Sequence, residues 1–264
     1  MAERRDIDIT TPNVARIYDY WLGGKDNFAA DREAAEKILT IVPEARVAAR
    51  ANRDFMGRAV RFLVRAGVRQ FIDLGTGLPT QDNVHEVANR IDPGTRVVYV
   101  DNDPVVVVHG QAVLHAVDTA TIVEADARFP DKILGHSDVR ALIDFDEPVA
   151  VLLLATLHFV TEAEDPYGII ARLREVMAPD SYLVVSHVTA DPRPHAEDAV
   201  TAVYRQATAP MVPRTREQVQ RFFDGFELVQ PGVVYVPEWH PDWEGEHVDP
   251  ETTFMLGGVG RKTM

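Results

Sequence analysis

Cysteine is absent from the 264-residue chain, which excludes disulfide staples, thiolate metal ligands and thiol nucleophiles. Basic residues are in short supply: 27 Lys and Arg stand against 41 Asp and Glu, a formal net charge of −14. A surface of that sign repels polyanions, so nucleic acid is not an expected partner. Long apolar runs are missing as well, and the longest, Val149 to Ala155, is strand-sized rather than membrane-spanning. Met1 to Asp8 carries no apolar core of the signal-peptide kind. A cytoplasmic protein without membrane contact is the expectation. Metal-ligand spacing is lacking too: His240 and His247 with Asp242, Glu244 and Glu246 read as a solvated acidic loop, and His85-Glu86 has no second histidine. No metal is expected. Neither a Gly-x-Ser-x-Gly elbow nor a phosphate-binding P-loop occurs.

What the chain does have is ample core material, 46% hydrophobic and 26% charged residues, as in a globular α/β domain. A single domain over 1–264 is expected, with residues 1–66 as a helical cap and lead-in and 67–264 as the core. Ala29 to Leu39 carries a helical stripe, and Pro43 opens a longer helix with Val47, Ala51, Phe55, Ala59, Phe62 and Leu63 on one face, ended by Gly67. Arg58, Arg61 and Arg65 recur on that helix and read as a solvated face. From Gln70 onward strands and helices alternate. Helices are expected near Asn83 to Ile91, Pro104 to His115, after Pro130, and from Pro166 to Met177, with a fourth strand at Val149 to Ala155 and a fifth at Tyr182 to Ser186. Such alternation predicts a parallel sheet covered on both faces. After Pro194 the pattern gives helices at about 195–207 and 216–223, then strand-like pieces at 226–229, 233–236 and 252–259.

Three apolar runs end in carboxylates. Gln70 to Leu74 carries Asp73 and runs into Gly75 and Gly77; Arg96 to Asp101 and Thr121 to Asp126 follow at the spacing of successive βαβ units. Their acidic ends should lie side by side at the carboxyl edge of the sheet, where ligands of open α/β folds bind. Asp101 is placed to accept both hydroxyls of an adenosine ribose, with Asn102 beside it, and Asp126 to accept the adenine amine with the Ala127 amide adjacent. Gly75 and Gly77 let backbone approach the rest of the cofactor. An NAD site uses the same second-strand acid, but its fingerprint needs a third glycine where Thr80 stands. Asp73 also suits the cationic sulfonium and ammonium of S-adenosylmethionine better than a pyrophosphate.

The Asp73-x-Gly75-x-Gly77 loop, Asp101 and Asp126-Ala127 resemble the first three motifs of class I S-adenosylmethionine-dependent methyltransferases. Pro12 to Phe28 with Ala30-Asp31-Arg32 resembles the amino-terminal signature of a bacterial S-adenosyl methyltransferase family once classed as a domain of unknown function, and Asn52 to Met56 and Leu157-His158-Phe159 extend the resemblance. It implies a Rossmann-like class I methyltransferase fold, a mostly parallel seven-stranded sheet with helices on both faces, an antiparallel seventh strand and S-adenosylmethionine as cofactor. A small-molecule methyl acceptor is expected. A non-catalytic cofactor-binding regulator and, less well supported, an NAD-dependent oxidoreductase are the alternatives. Base candidates are His158 beyond the fourth strand and His187 beyond the fifth, unless both are strand-end histidines bonded to backbone. Tyr18, Gly24 and Lys25 belong to a signature that reads either as a lid over the cofactor or as a helix C-cap over packed aromatics. No feature specifies an oligomeric state.

Overall fold

The computed structural model describes residues 7–79, 82–189, 191, 194–242 and 249–263. Three helices lead in: α1 (Val14–Leu22), α2 (Ala29–Ile41) and α3 (Ala45–Arg65). The core then runs β1 (Gln70–Leu74), α4 (Val84–Asn89), β2 (Arg96–Asp101), α5 (Pro104–Leu114), β3 (Ala120–Glu124), α6 (Pro130–Leu134), α7 (Ser137–Leu142) and β4 (Ala150–Leu154). It continues through α8 (Pro166–Val176), β5 (Tyr182–Val188), α9 (Pro194–Tyr204), α10 (Arg216–Gln220), β6 (Glu227–Leu228), β7 (Val234–Tyr235) and β8 (Met255–Arg261).

The sheet has the order β3-β2-β1-β4-β5-β8-β6, with β7 also paired to β8. Strands β1 to β5 are parallel, and β8 enters antiparallel beside β5. Each central strand is apolar on both parities because both faces are covered. Phe55, Leu63 and Val106 pack on one face, and Ile133, Ile169 and Phe222 on the other. Helix starts carry their own signals: Asn13 caps α1 by accepting from the Ala15 amide at 2.8 Å, and Asp103 caps α5 by accepting from Val105 at 2.9 Å, ahead of Pro104 in the first turn. Among the described residues no helix is long and apolar enough to cross a membrane.

The expected elements are present, with local differences. Helix α1 occupies the signature segment, which the turn glycines at its end obscured. The buried face of α3 is wider than the expected stripe: Ala51, Phe55, Ala59 and Leu63 are buried as expected, Val47 is exposed, and Ala48, Asn52 and Met56 are buried as well. The arginines on α3 are not a solvated face. Arg58 is 5% exposed and donates to the carbonyls of Trp239 at 2.9 Å and Val236 at 2.6 Å, and Arg61 pairs with Asp242 at 2.6 Å. Arg65 alone of the three is exposed. These bonds fix a fully buried Trp239, set edge-on to Phe55 at 5.5 Å and Phe62 at 5.6 Å. The acidic loop thus begins in the core; its residues 243–248, including Glu244, Glu246 and His247, and also Thr80, lie outside the described residues.

Candidate active site

A cavity of about 260 Å³ opens at the carboxyl edge of the sheet. Asp73, Gly75, Gly77, Asp101, Asn102, Asp126 and Ala127 all line it, so the three acidic strand ends converge on one cleft as the spacing predicts. Helices α1, α2 and α3 roof it from one side and α9 closes it from another.

Local geometry explains the loop sequence. Gly75 has φ +71°, donates its amide to Val100 O at 2.8 Å, and a Cβ there would sit 2.6 Å from the Thr156 side chain. Gly77 has φ +69° with open space where a Cβ would be, and its amide donates to Asp101 Oδ2 at 2.8 Å. The Asp103 amide donates to the other oxygen, Oδ1, at 2.9 Å. A carboxylate offers about four lone-pair sites, so Asp101 keeps capacity for a diol. Asp73 accepts from the Thr76 hydroxyl at 3.0 Å. Asp73 and Asp101 are each 6% exposed, and burial raises both carboxyls to about 6; Asp101 adds repulsion at Asp73, which Arg53 opposes. Asp126 differs. Burial pushes its carboxyl up, but Arg128 outweighs that and holds it below the usual carboxylate range, clamping it with Nη2 at 2.6 Å and Nε at 3.0 Å. The Asn102 side chain bonds Asp126 as well.

The histidines separate. His158 lines the cavity, 4% exposed, and its Nδ1 accepts from the Val188 amide at 3.4 Å, which leaves the ring proton on Nε2. Burial, reinforced by Arg214, lowers it to about 3. His158 is therefore a neutral hydrogen-bonding group near neutrality and holds an abstracted proton poorly. His187 does not line the cavity. It is fully buried, with Nδ1 facing Val188 O at 2.7 Å and Nε2 facing Arg214 Nη1 at 3.0 Å, so both nitrogens are engaged and burial drives its titration well below the ordinary range. The base role expected for His187 has no geometric support.

The amino-terminal signature divides in the same way. Tyr18 lines the cavity, donating to Ala49 O at 2.9 Å and accepting from Asn52 Nδ2 at 3.0 Å. Gly24 and Lys25 do not line it. Gly23 ends α1 in the left-handed region at φ +85°, a Cβ on Gly24 would strike the Asp19 carboxylate, and Lys25 is exposed. The segment around Gly24 is a helix C-cap, as its alternative reading held.

Sequence reading missed several residues that shape the cleft. Arg16, 4% exposed, bonds Asp103 Oδ2 at 2.9 Å and ties α1 to the loop after β2. Arg214, 2% exposed, donates to Leu157 O and Val160 O, each at 2.9 Å, and so braces the turn that carries His158. Ala155 closes β4 at φ +53°, a strained conformation for a residue with a side chain, directly on the cavity wall. Beyond this edge the cavity continues between Trp21, Val42, Phe159, Val200, Tyr204 and Met211, an apolar lobe with no sequence motif.

The whole chain, residues 1–263, matches the profile of the family described as S-adenosyl methyltransferase, and the chain belongs to that family. It is similar to the crystal structure of a DUF574 family protein from Streptomyces avermitilis, with 42% identity, TM-score 0.93, and coverage of 97% of this chain and 100% of that one. A candidate methyltransferase from Thermobifida fusca is similar at 41% identity and TM-score 0.91, covering 97% of each chain. Human N-acetylserotonin methyltransferase, solved in complex with SAM, shares the fold at 13% identity and TM-score 0.50, with 96% of this chain and 63% of that chain covered. No curated protein matches. The protein is an S-adenosylmethionine-dependent methyltransferase by family. Its residues fit the cofactor: two buried carboxylates bonded by a hydroxyl and amides rather than by a cation face the cleft, and a glycine with open space lies between them.

Proposed function

We propose that this cytoplasmic protein transfers the methyl of S-adenosylmethionine to a small-molecule acceptor seated in the apolar lobe. The observation that supports the reading is the continuity of one cavity from the acidic strand ends to that lobe, which would give a cofactor and an acceptor adjoining seats. Asp101 would accept the ribose hydroxyls, Asp126 and the Ala127 amide the adenine edge, and Asp73 with the Gly75 to Gly77 loop the methionine end. When bound, the cofactor supplies a methyl on a sulfonium, so that an acceptor lone pair forms the new bond as the carbon–sulfur bond breaks and leaves a neutral thioether.

The protein's part is alignment and exclusion of water. Helices α1 to α3 and α9 cover the cleft, and the Arg214-braced turn presents His158 as a neutral group to the junction. An acceptor proton leaves to solvent, because neutral His158 at about 3 is too weak to retain it. Calorimetric titration with the cofactor tests the assignment: Asp101→Ala should weaken binding at least about tenfold, about 1.4 kcal/mol. Unchanged affinity overturns it.

A further inference from the structure

Among the described residues, the charged ones that line the cavity are Arg53, Asp73, Asp101, Asp126 and Arg128, all on the strand ends or on α3 beside Asp73. The lobe beyond them draws its walls from four separate places: Trp21 on α1, Val42 after α2, Phe159 in the turn after β4, and Val200, Tyr204 and Met211 on and after α9. None of these walls carries a charge. An ionic acceptor would therefore lose its hydration on entry without meeting a counter-ion. Three of the walls are aromatic, and Phe159 and Tyr204 stand with ring centroids 5.3 Å apart. Aromatic walls of this kind favour a flat ring by offset or edge contact.

The Tyr204 hydroxyl is a polar atom on this surface. Tyr204 is 4% exposed, yet its hydroxyl has no hydrogen-bond partner among the described residues, whereas Tyr18 and Trp21 in the same cavity bond to Ala49 O and Ala35 O. Burial alone pushes its phenol upward, with no partner bond to offset it. An unbonded hydroxyl on the wall of a cavity is a position where a ligand can supply the partner.

We propose that the methyl acceptor is an uncharged, flat aromatic molecule bearing a polar group that hydrogen-bonds the Tyr204 hydroxyl. This deepens the reading of the cavity as a cofactor and acceptor site and rests on it. Tyr204 is a binding residue that orients the ring, and the neutral walls select against carboxylated or phosphorylated acceptors.

The test uses three probes that share a methylphenyl ring, 4-methylphenol, toluene and 4-methylbenzenesulfonate, titrated by ligand-observed NMR into the full chain saturated with S-adenosylhomocysteine. On the parent protein the phenol should bind and the sulfonate should bind at least about tenfold more weakly. Tyr204→Phe should weaken the phenol about two- to tenfold and leave toluene unchanged. Its thermal melting should not fall, since no bond of the folded protein is removed. Equal binding of phenol and sulfonate, no phenol binding, an equal loss for phenol and toluene, or a clear drop in melting temperature overturns the assignment. Binding of S-adenosylhomocysteine is measured first on the same samples. If that fails, the cofactor reading falls; if it holds and the probe pattern does not appear, only the acceptor proposal falls.

Discussion

Acidifying the free enzyme should weaken cofactor binding, and the size follows from two buried carboxyls. Asp73 and Asp101 both stand at about 6, against an ordinary 3.8, because burial disfavours their charged forms. The folded free protein therefore binds protons at about pH 5 that the unfolded chain has released, and each group contributes stability at low pH that is lost as pH rises through about 4 to 6. A sulfonium and an ammonium beside Asp73, and ribose hydroxyls donating to Asp101, favour the ionised forms, so binding expels the protons. For one carboxyl at about 6 in the free protein and far lower in the complex, linkage gives roughly tenfold tighter binding at about pH 7 than at about pH 5, and up to about a hundredfold if both release. The cavity histidine adds nothing in this window, since His158 lies at about 3. Calorimetry at both pH values, in two buffers of different ionisation enthalpy, yields the affinity and the number of protons released. Asp101→Asn should remove part of both. Affinity independent of pH, or proton uptake on binding, refutes the reasoning.

Other consequences are local. Gly75→Ala should cost more than Gly77→Ala in urea unfolding, because both sit at positive φ but only the first Cβ meets Thr156; the strain common to both is about 1–3 kcal/mol, and the reverse order refutes the loop geometry. Arg16→Met should destabilise by about 3–5 kcal/mol by leaving Asp103, 1% exposed in its side chain, buried without its partner; a loss below about 0.5 kcal/mol would show that this pair does not anchor the cap. At saturating cofactor, where Asp73 and Asp101 are ionised, the pH profile of kcat should show no step near the ordinary histidine value of about 6.5. A step there that disappears in His158→Gln would restore a base role to that residue.

The fold and the acidic edge were legible because their signals are local. β-Branched runs bounded by carboxylates, prolines at the first turn of α5 and α8, and glycines at forced positive φ each write a backbone choice into a few adjacent residues. The buried arginines were not legible, since an arginine reads as surface unless its partner is known. The Asp103 that holds Arg16 lies 87 residues away, and the Trp239 carbonyl that holds Arg58 lies 181 residues away. His187 follows the alternative given for it, a strand-end histidine bonded to backbone, and Arg214, 27 residues on, occupies its second nitrogen.

The division of the cavity gives that contrast a physical basis. Cofactor recognition uses charge and backbone geometry, which demand particular residue types at strand ends and so leave a readable pattern. In the proposed site, acceptor recognition would use apolar surface drawn from positions 21, 42, 159, 200, 204 and 211, any of which reads as ordinary core in its own segment. Trp21, Val42, Val200, Tyr204 and Met211 belong to the same apolar cluster that packs α1, α2 and α9 together. The residues that hold the cap closed are thus the residues that would meet the acceptor. A change of acceptor would then register as a change in cap packing, and variants that alter the apolar volume of the lobe, unlike Tyr204→Phe, should shift the melting temperature and acceptor preference together while leaving the acidic edge and cofactor affinity as they are.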